Sequence, residues 1–113
     1  MEDCIFCKLA NGIIPTNMVY EDDFVAAFRD ANPQAPIHIL VVPKKHYENV
    51  LDVKSGDDII SKIFDAINKI AIQEGLAESG FRVINNCGKD AGQTVMHLHY
   101  HIIAGKNLGE NII

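Results

Sequence analysis

Between His97 and Ile103 the chain reads His97-Leu98-His99-Tyr100-His101-Ile102-Ile103, so three of its five histidines recur at every second position among bulky apolar residues. A period of two belongs to extended chain, whose successive side chains point to opposite faces; a helix would scatter the three rings. The spacing predicts a β-strand over residues 95–103. His97, His99 and His101 share one face of it, and Leu98, Tyr100 and Ile102 take the other. Imidazole titrates near neutrality and a row of three packs poorly, so the histidine face reads as a chemical surface and not as core.

The rest of the chain divides at its Gly and Pro residues into short elements. Residues 4–11, stopped by Gly12, read as a short helix. Residues 18–21 and 24–29 read as two strands about an Asp22-Asp23 turn, and the two prolines of residues 30–36 make that stretch a loop. Residues 37–42 form an unbroken β-favouring run closed by Pro43, the pattern of a strand covered on both faces. Residues 55–75 carry the one long helical period, with Ile59, Ile60, Ile63, Phe64, Ile67, Ile70 and Ala71 at three- and four-residue steps. Asp57 and Asp58 suit its positive end and Gly75 its close. Residues 81–85 read as a further strand and residues 87–94 as a polar loop. The expected class is α+β: a mostly antiparallel sheet of about five strands, one long helix and a short N-terminal helix.

With 113 residues, 48% of them hydrophobic, the chain fits a single domain spanning 1–113. A formal charge of -5, with no basic cluster beyond Lys44-Lys45, speaks against a general nucleic-acid binder. No apolar run approaches the ~20 residues that span a bilayer, and Met1-Glu2-Asp3-Cys4 lacks the basic and apolar regions of a secretory leader. The expectation is a cytoplasmic protein without membrane or nucleic-acid partners. Three cysteines do not make a disulfide framework, so Cys4-Ile5-Phe6-Cys7 reads as a metal-ligand or redox pair.

On a strand rising ~3.3 Å per residue, His97 and His101 stand about 13 Å apart, whereas zinc–nitrogen bonds are only ~2.0–2.1 Å long. One ion does not easily take all three. Two neighbours can chelate a metal, as in a zinc hydrolase, or the row can hold a nucleophile flanked by groups that orient it and bind an anion. A nucleophilic imidazole needs one bare nitrogen and the other tied down as a donor, and the central His99 is best placed for that. The preceding loop, Gly88 to Thr94, adds glycines that permit close backbone approach, with Gln93 and Thr94 as polar groups for an oxyanion.

These residues resemble the histidine triad (HIT) nucleotide-binding family, in particular its Hint-like branch. Ile13-Ile14-Pro15, Tyr20-Glu21-Asp22-Asp23, Gln34-Ala35-Pro36-Ile37-His38, Val42-Pro43-Lys44-Lys45-His46 and Asp90-Ala91-Gly92-Gln93-Thr94 resemble blocks of that branch in the same order, over roughly residues 4–105. The resemblance implies a HIT-like fold and a purine nucleotide-binding hydrolase of the adenosine 5'-monophosphoramidase kind. It would cleave nucleoside 5'-phosphoramidates, of the AMP-NH2 or AMP-lysine type, through a nucleotidyl-histidine on His99. By the same likeness His101 and His38 sit beside the phosphate, and His97, counted with the catalytic set, fixes the His99 tautomer through its carbonyl. Asn86, Gly92, Gln93 and Thr94 match the phosphate and leaving-group side, Asp30 the acid at the ribose hydroxyls, and Ile14, Phe28 and Phe6 the apolar purine slot. Cys4, Cys7, His46 and His97 match a structural zinc quartet found in some relatives, with no metal required at phosphorus. A homodimer is implied, with purine nucleoside monophosphates and their phosphoramidates as ligands. A nucleotide-binding or signalling module with weak hydrolysis is the competing reading. After Gly105 the tail lacks the tryptophan that many Hint-like proteins place near the partner's pocket.

Overall fold

The computed structural model describes residues 3–113; Met1 and Glu2, the first two of the expected 1–113 domain, lie outside it. The chain runs α1 (Ile5–Ala10), β1 (Met18–Glu21), β2 (Val25–Arg29), β3 (Ile37–Pro43), α2 (Ile59–Gln73), β4 (Arg82–Ile84) and β5 (Tyr100–Ala104), with 3₁₀ turns at Val50–Asp52 and Lys89–Ala91. One five-stranded sheet has the order β1-β2-β3-β5-β4, and every neighbouring pair is antiparallel. The class is α+β, as the residue patterns require.

Strand β3 lies at the centre, and its apolar continuity has the anticipated cause, since both of its faces are covered. Ile39 and Val41 join Val25, Ala27, Tyr100 and Ile102 under α2, which contributes Ile59, Ile63, Ala66, Ile67 and Ile70. Leu40 and Val42 join Ala26 and Phe28 on the opposite face, where α1 supplies Phe6 and Ala10. Each buried Ile or Leu side chain contributes about 1.5–3 kcal/mol. The side chains of His38, His99 and His101 fall on the α1 face by the same alternation that sends Leu98, Tyr100 and Ile102 beneath α2.

Two boundaries differ from the sequence expectation in ways that matter. Helix α2 starts at Ile59 instead of residue 55, because Asp57 turns its carboxylate to the Ile59 N–H at 3.0 Å and the Tyr47 hydroxyl at 2.7 Å. The histidine strand, expected over residues 95–103, is regular only from Tyr100 to Ala104. Val41 pairs with Tyr100, so continuing the ladder would set Leu98 opposite Pro43, which has no N–H to give. The Leu98 N–H turns instead to the Tyr47 carbonyl at 2.7 Å. His97 and His99 therefore precede the strand, and their alternation of faces persists without the ladder.

Candidate active site

His99 is buried, 7% exposed, and its Nδ1 lies 2.7 Å from the carbonyl oxygen of His97. A carbonyl only accepts, so Nδ1 carries the proton and Nε2 keeps its lone pair. The Asn85 side chain donates to the His99 carbonyl at 3.0 Å, bracing the residue from its other end. Burial holds the His99 ring below the ordinary imidazole range, against opposing contributions from the His97 hydrogen bond and the Asp30 charge. A neutral ring with a bare Nε2 is the form that attacks an electrophile.

His101 stands beside it, the two ring centroids 5.1 Å apart in an edge-on arrangement. Its Nδ1 is 2.8 Å from Nε2 of His38, whose own Nδ1 accepts the Gln34 main-chain N–H at 3.0 Å. Burial, with the neighbouring His99 and His38, pushes His101 down to about 4. Nε2 of His101 is the one buried side-chain nitrogen or oxygen left without a hydrogen-bond partner among the described residues. Such an atom costs about 1–3 kcal/mol unless something outside the protein satisfies it.

Asp30 completes this side. Its Oδ2 approaches Nε2 of His38 at 3.3 Å, and its Oδ1 accepts the Asn32 N–H at 2.8 Å. Phe6 stands edge-on to His99 at 5.0 Å and to Phe28 at 5.8 Å. Phe28 is packed behind it and 1% exposed, whereas Ile14 is half-buried at the edge of the molecule. In the glycine loop, Gly92 takes the left-handed conformation at φ 83° that ends the 3₁₀ turn, and Thr94 is exposed. Gln93 turns inward: its amide donates to the Glu48 and Val95 carbonyls at 2.8 and 3.1 Å and accepts the Gly88 N–H at 2.8 Å. Its side chain braces the loop instead of facing an oxyanion. Asn86 is half-buried, and it is its neighbour Asn85 that touches the histidine row.

The His97 side chain is fully buried, and its hydrogen-bonding partners are the Pro43 carbonyl and the two cysteines of the N-terminal segment. Its Nε2 donates to the Pro43 carbonyl at 2.8 Å, leaving Nδ1 bare at 3.2 Å from Cys4 Sγ and 3.4 Å from Cys7 Sγ. His46 brings its Nδ1 to 3.3 Å from Cys7 Sγ. The four donor atoms lie within 4.8 Å of one another. Tetrahedral zinc with bonds of ~2.3 Å to sulfur and ~2.0 Å to nitrogen sets sulfur and nitrogen about 3.5 Å apart, so the quartet fits that ion in donor type and spacing. The Pro43 carbonyl on the remote nitrogen of His97 is the usual support of a metal-binding imidazole. Burial and the adjacent Cys4 push the Cys7 thiol up to about 11, and a cation at this point would lower it. Asp30, His38 and His101 also come close together, but Nε2 of His38 is the nitrogen that lies between them.

A buried imidazole with one nitrogen tied to the main chain, beside a second ring whose Nε2 has no partner among the described residues, makes this face of the α+β sheet a candidate centre for nucleophilic chemistry. The family model of the HIT domain matches residues 11–108, and the chain belongs to that family. It is 43% identical to the purine nucleoside phosphoramidase of Escherichia coli K12 over 109 residues, covering 96% of this chain and 92% of that protein. Among solved structures, a histidine triad protein from Clostridium difficile is 61% identical with a TM-score of 0.95, covering 98% of this chain and 97% of its own. A HIT family hydrolase from Clostridium thermocellum is 45% identical with a TM-score of 0.96, covering 100% of this chain and 99% of its own.

Proposed function

We propose that this hydrolase cleaves purine nucleoside 5'-phosphoramidates through a nucleotide covalently held on His99. The observation that carries the reading is the Nδ1–H of His99 bound at 2.7 Å to the His97 carbonyl, which leaves Nε2 free to attack. The Nε2 lone pair forms a bond to the α-phosphorus as the P–N bond breaks, and the leaving amine takes up a proton from solvent. Water then attacks phosphorus and gives up a proton to solvent, the P–Nε2 bond breaks with its electron pair returning to Nε2, and the nucleoside monophosphate departs with the ring restored. His101 Nε2 supplies a hydrogen bond to the charged phosphoryl oxygens or the departing nitrogen, a role supported by its lack of any internal partner. Asp30 accepts from the ribose hydroxyls, and Phe6 with Ile14 walls the base. The 43% identity to a purine nucleoside phosphoramidase supports the choice of substrate.

Acid quench during turnover of a purine nucleoside phosphoramidate, followed by peptide mass analysis, tests the reading. A nucleotidyl adduct on the peptide containing His99 is expected. Steady hydrolysis by a His99→Ala protein would overturn it.

Zinc held by Cys4, Cys7, His46 and His97 belongs to the same proposal, as a clamp that ties α1 to the segment before β5. The ion would replace two thiol protons by bonds that hold Phe6 against His99, and no bond at phosphorus passes through it. A homodimer is supported by the free outer edge of β4 and by the outward Phe64 and Ile72 of α2, which are 42% and 75% exposed. Three unpaired cysteines suit the reducing cytoplasm. No helix of the described residues is long and apolar enough to cross a membrane.

A further inference from the structure

We infer that the main-chain N–H of Gln34 is the positioning group that makes His101 a hydrogen-bond donor at Nε2. The inference rests on the hydrolase reading for its kinetic consequence, but its geometry stands alone. Gln34 N–H points at Nδ1 of His38 over 3.0 Å, so Nδ1 must be the bare, accepting nitrogen of that ring. The proton of His38 then sits on Nε2. From there it meets Nδ1 of His101 at 2.8 Å, and this nitrogen can only accept, so the proton of His101 is forced onto its Nε2. That is the buried nitrogen without a partner among the described residues.

The reverse assignment fails at its first link. If His101 Nδ1 were the donor, His38 Nε2 would have to accept, its proton would move to Nδ1, and two N–H groups would face each other at 3.0 Å. An amide proton cannot be moved to relieve this, so it sets the direction of the whole chain. The side chain of Gln34 is exposed and takes no part. Asp30 Oδ2, 3.3 Å from the same Nε2 of His38, is a second acceptor for that proton and reinforces its place. The same logic argues against a metal among Asp30, His38 and His101, because the nitrogen that would bind it is held protonated.

A full-length, uniformly 15N-labelled protein tests the inference without any substrate. Through-hydrogen-bond nitrogen–nitrogen coupling is expected between Gln34 N and His38 Nδ1, and between His38 Nε2 and His101 Nδ1. Ring shifts should report Nε2–H tautomers for both histidines. Gln34→Ala should keep both couplings, whereas Gln34→Pro, which removes the N–H, should abolish the first and allow a His38 Nδ1–H population to appear. For the same variant, kcat on a purine phosphoramidate is expected to fall about 100-fold with KM little changed, the loss of one general donor. Absence of the Gln34–His38 coupling in the unsubstituted protein, or a His38 Nδ1–H tautomer there, overturns the inference even if Gln34→Pro fails to fold. Intact couplings with no turnover of any phosphoramidate would leave it standing and overturn the proposed reaction instead.

Discussion

The carbonyl oxygen of His97 and Nδ1 of His99 meet at 2.7 Å, so the main chain of one histidine leaves Nε2 as the bare nitrogen of the other while its side chain is engaged elsewhere. This division separates two jobs that the sequence motif runs together. Replacing the His97 ring leaves its carbonyl in place. His97→Ala is therefore expected to lower stability by about 2–4 kcal/mol, through the cavity and the orphaned Pro43 carbonyl. His99→Ala should also cost stability, through its own cavity and the orphaned His97 carbonyl, but should reduce kcat far more, by at least about 10³-fold. Denaturant midpoints and turnover measured on both variants check the contrast. Equal kinetic losses would assign the His97 ring a part at phosphorus.

Metal removal should act on the same side of that division. A structural zinc site contributes folding energy directly, so a purified chain is expected to carry about one zinc per protomer and to lose thermal stability on exhaustive chelation. Cys4→Ser and Cys7→Ser should each reproduce most of that loss. Elemental analysis and thermal melts measure both. The residual turnover of chelated protein should exceed that of His99→Ala, since His97 Nδ1 faces the thiols and not the His99 ring.

How far these assignments could be read beforehand depended on the kind of atom involved. The alternation over residues 97–103 placed each side chain on its correct face, because face is a property of extended chain even where no ladder forms. The end of the ladder was not legible, since it depends on Pro43 lying opposite Leu98, a register that only the fold creates. Asn85 went unread, because its part is a side-chain amide donated to the His99 main-chain carbonyl, a contact that leaves no mark in the residue pattern. Gln93 looked like an anion ligand because its amide is versatile, and in the fold that amide ties Gly88 and Val95 to the Glu48 carbonyl. Gln34 carried no signal at all, since its contribution is a main-chain N–H that every residue but proline possesses. His46 could be read as a ligand only through the family likeness, because a solvated turn residue and a metal ligand look alike until the fold brings the cysteines to it.

The pH dependence of stability should carry the mark of His101. Its folded value of about 4 lies below the ordinary 6.5, so the unfolded chain binds the proton more readily. A depressed histidine contributes fully above about pH 6.5, and its contribution falls as the pH drops from there toward 4, by about 3 kcal/mol at most. Denaturant melts at pH 7 and pH 5 should show this loss, and His101→Gln should show a smaller one. An identical slope in the variant would place the titration elsewhere.

Asp30 offers a test of recognition. Its Oδ2 approaches His38, its Oδ1 accepts the Asn32 N–H, and its side chain stays 21% exposed, so acceptor capacity remains for hydroxyl donors. Asp30→Asn exchanges one acceptor for a donor, and the variant is expected to lose about 10- to 100-fold in kcat/KM on ribonucleoside phosphoramidates. Its loss on the 2'-deoxy substrate should be smaller, so the preference between the two sugars narrows. Competition kinetics with the two substrates measure it, and an unchanged preference would remove Asp30 from the sugar.

The loop that carries Asp30 and Gln34 is held at its far end by a glycine. Gly105 follows β5 with φ 94°, a left-handed backbone that other residues rarely adopt, and a Cβ built there would stand 2.8 Å from the Pro36 Cβ and 3.3 Å from the Ile37 nitrogen. Strain and overlap act together, so Gly105→Ala is expected to cost about 2–4 kcal/mol. The collision falls on Pro36 and Ile37, the residues between Gln34 and His38. The substitution should therefore also disturb the Gln34 N–H bond to the His38 ring, 3.0 Å in the unstrained loop. Thermal melts read the first effect and the His38 ring nitrogen shifts the second. A variant that loses stability while keeping the native His38 tautomer would show that Pro36 yields without moving the amide two residues before it.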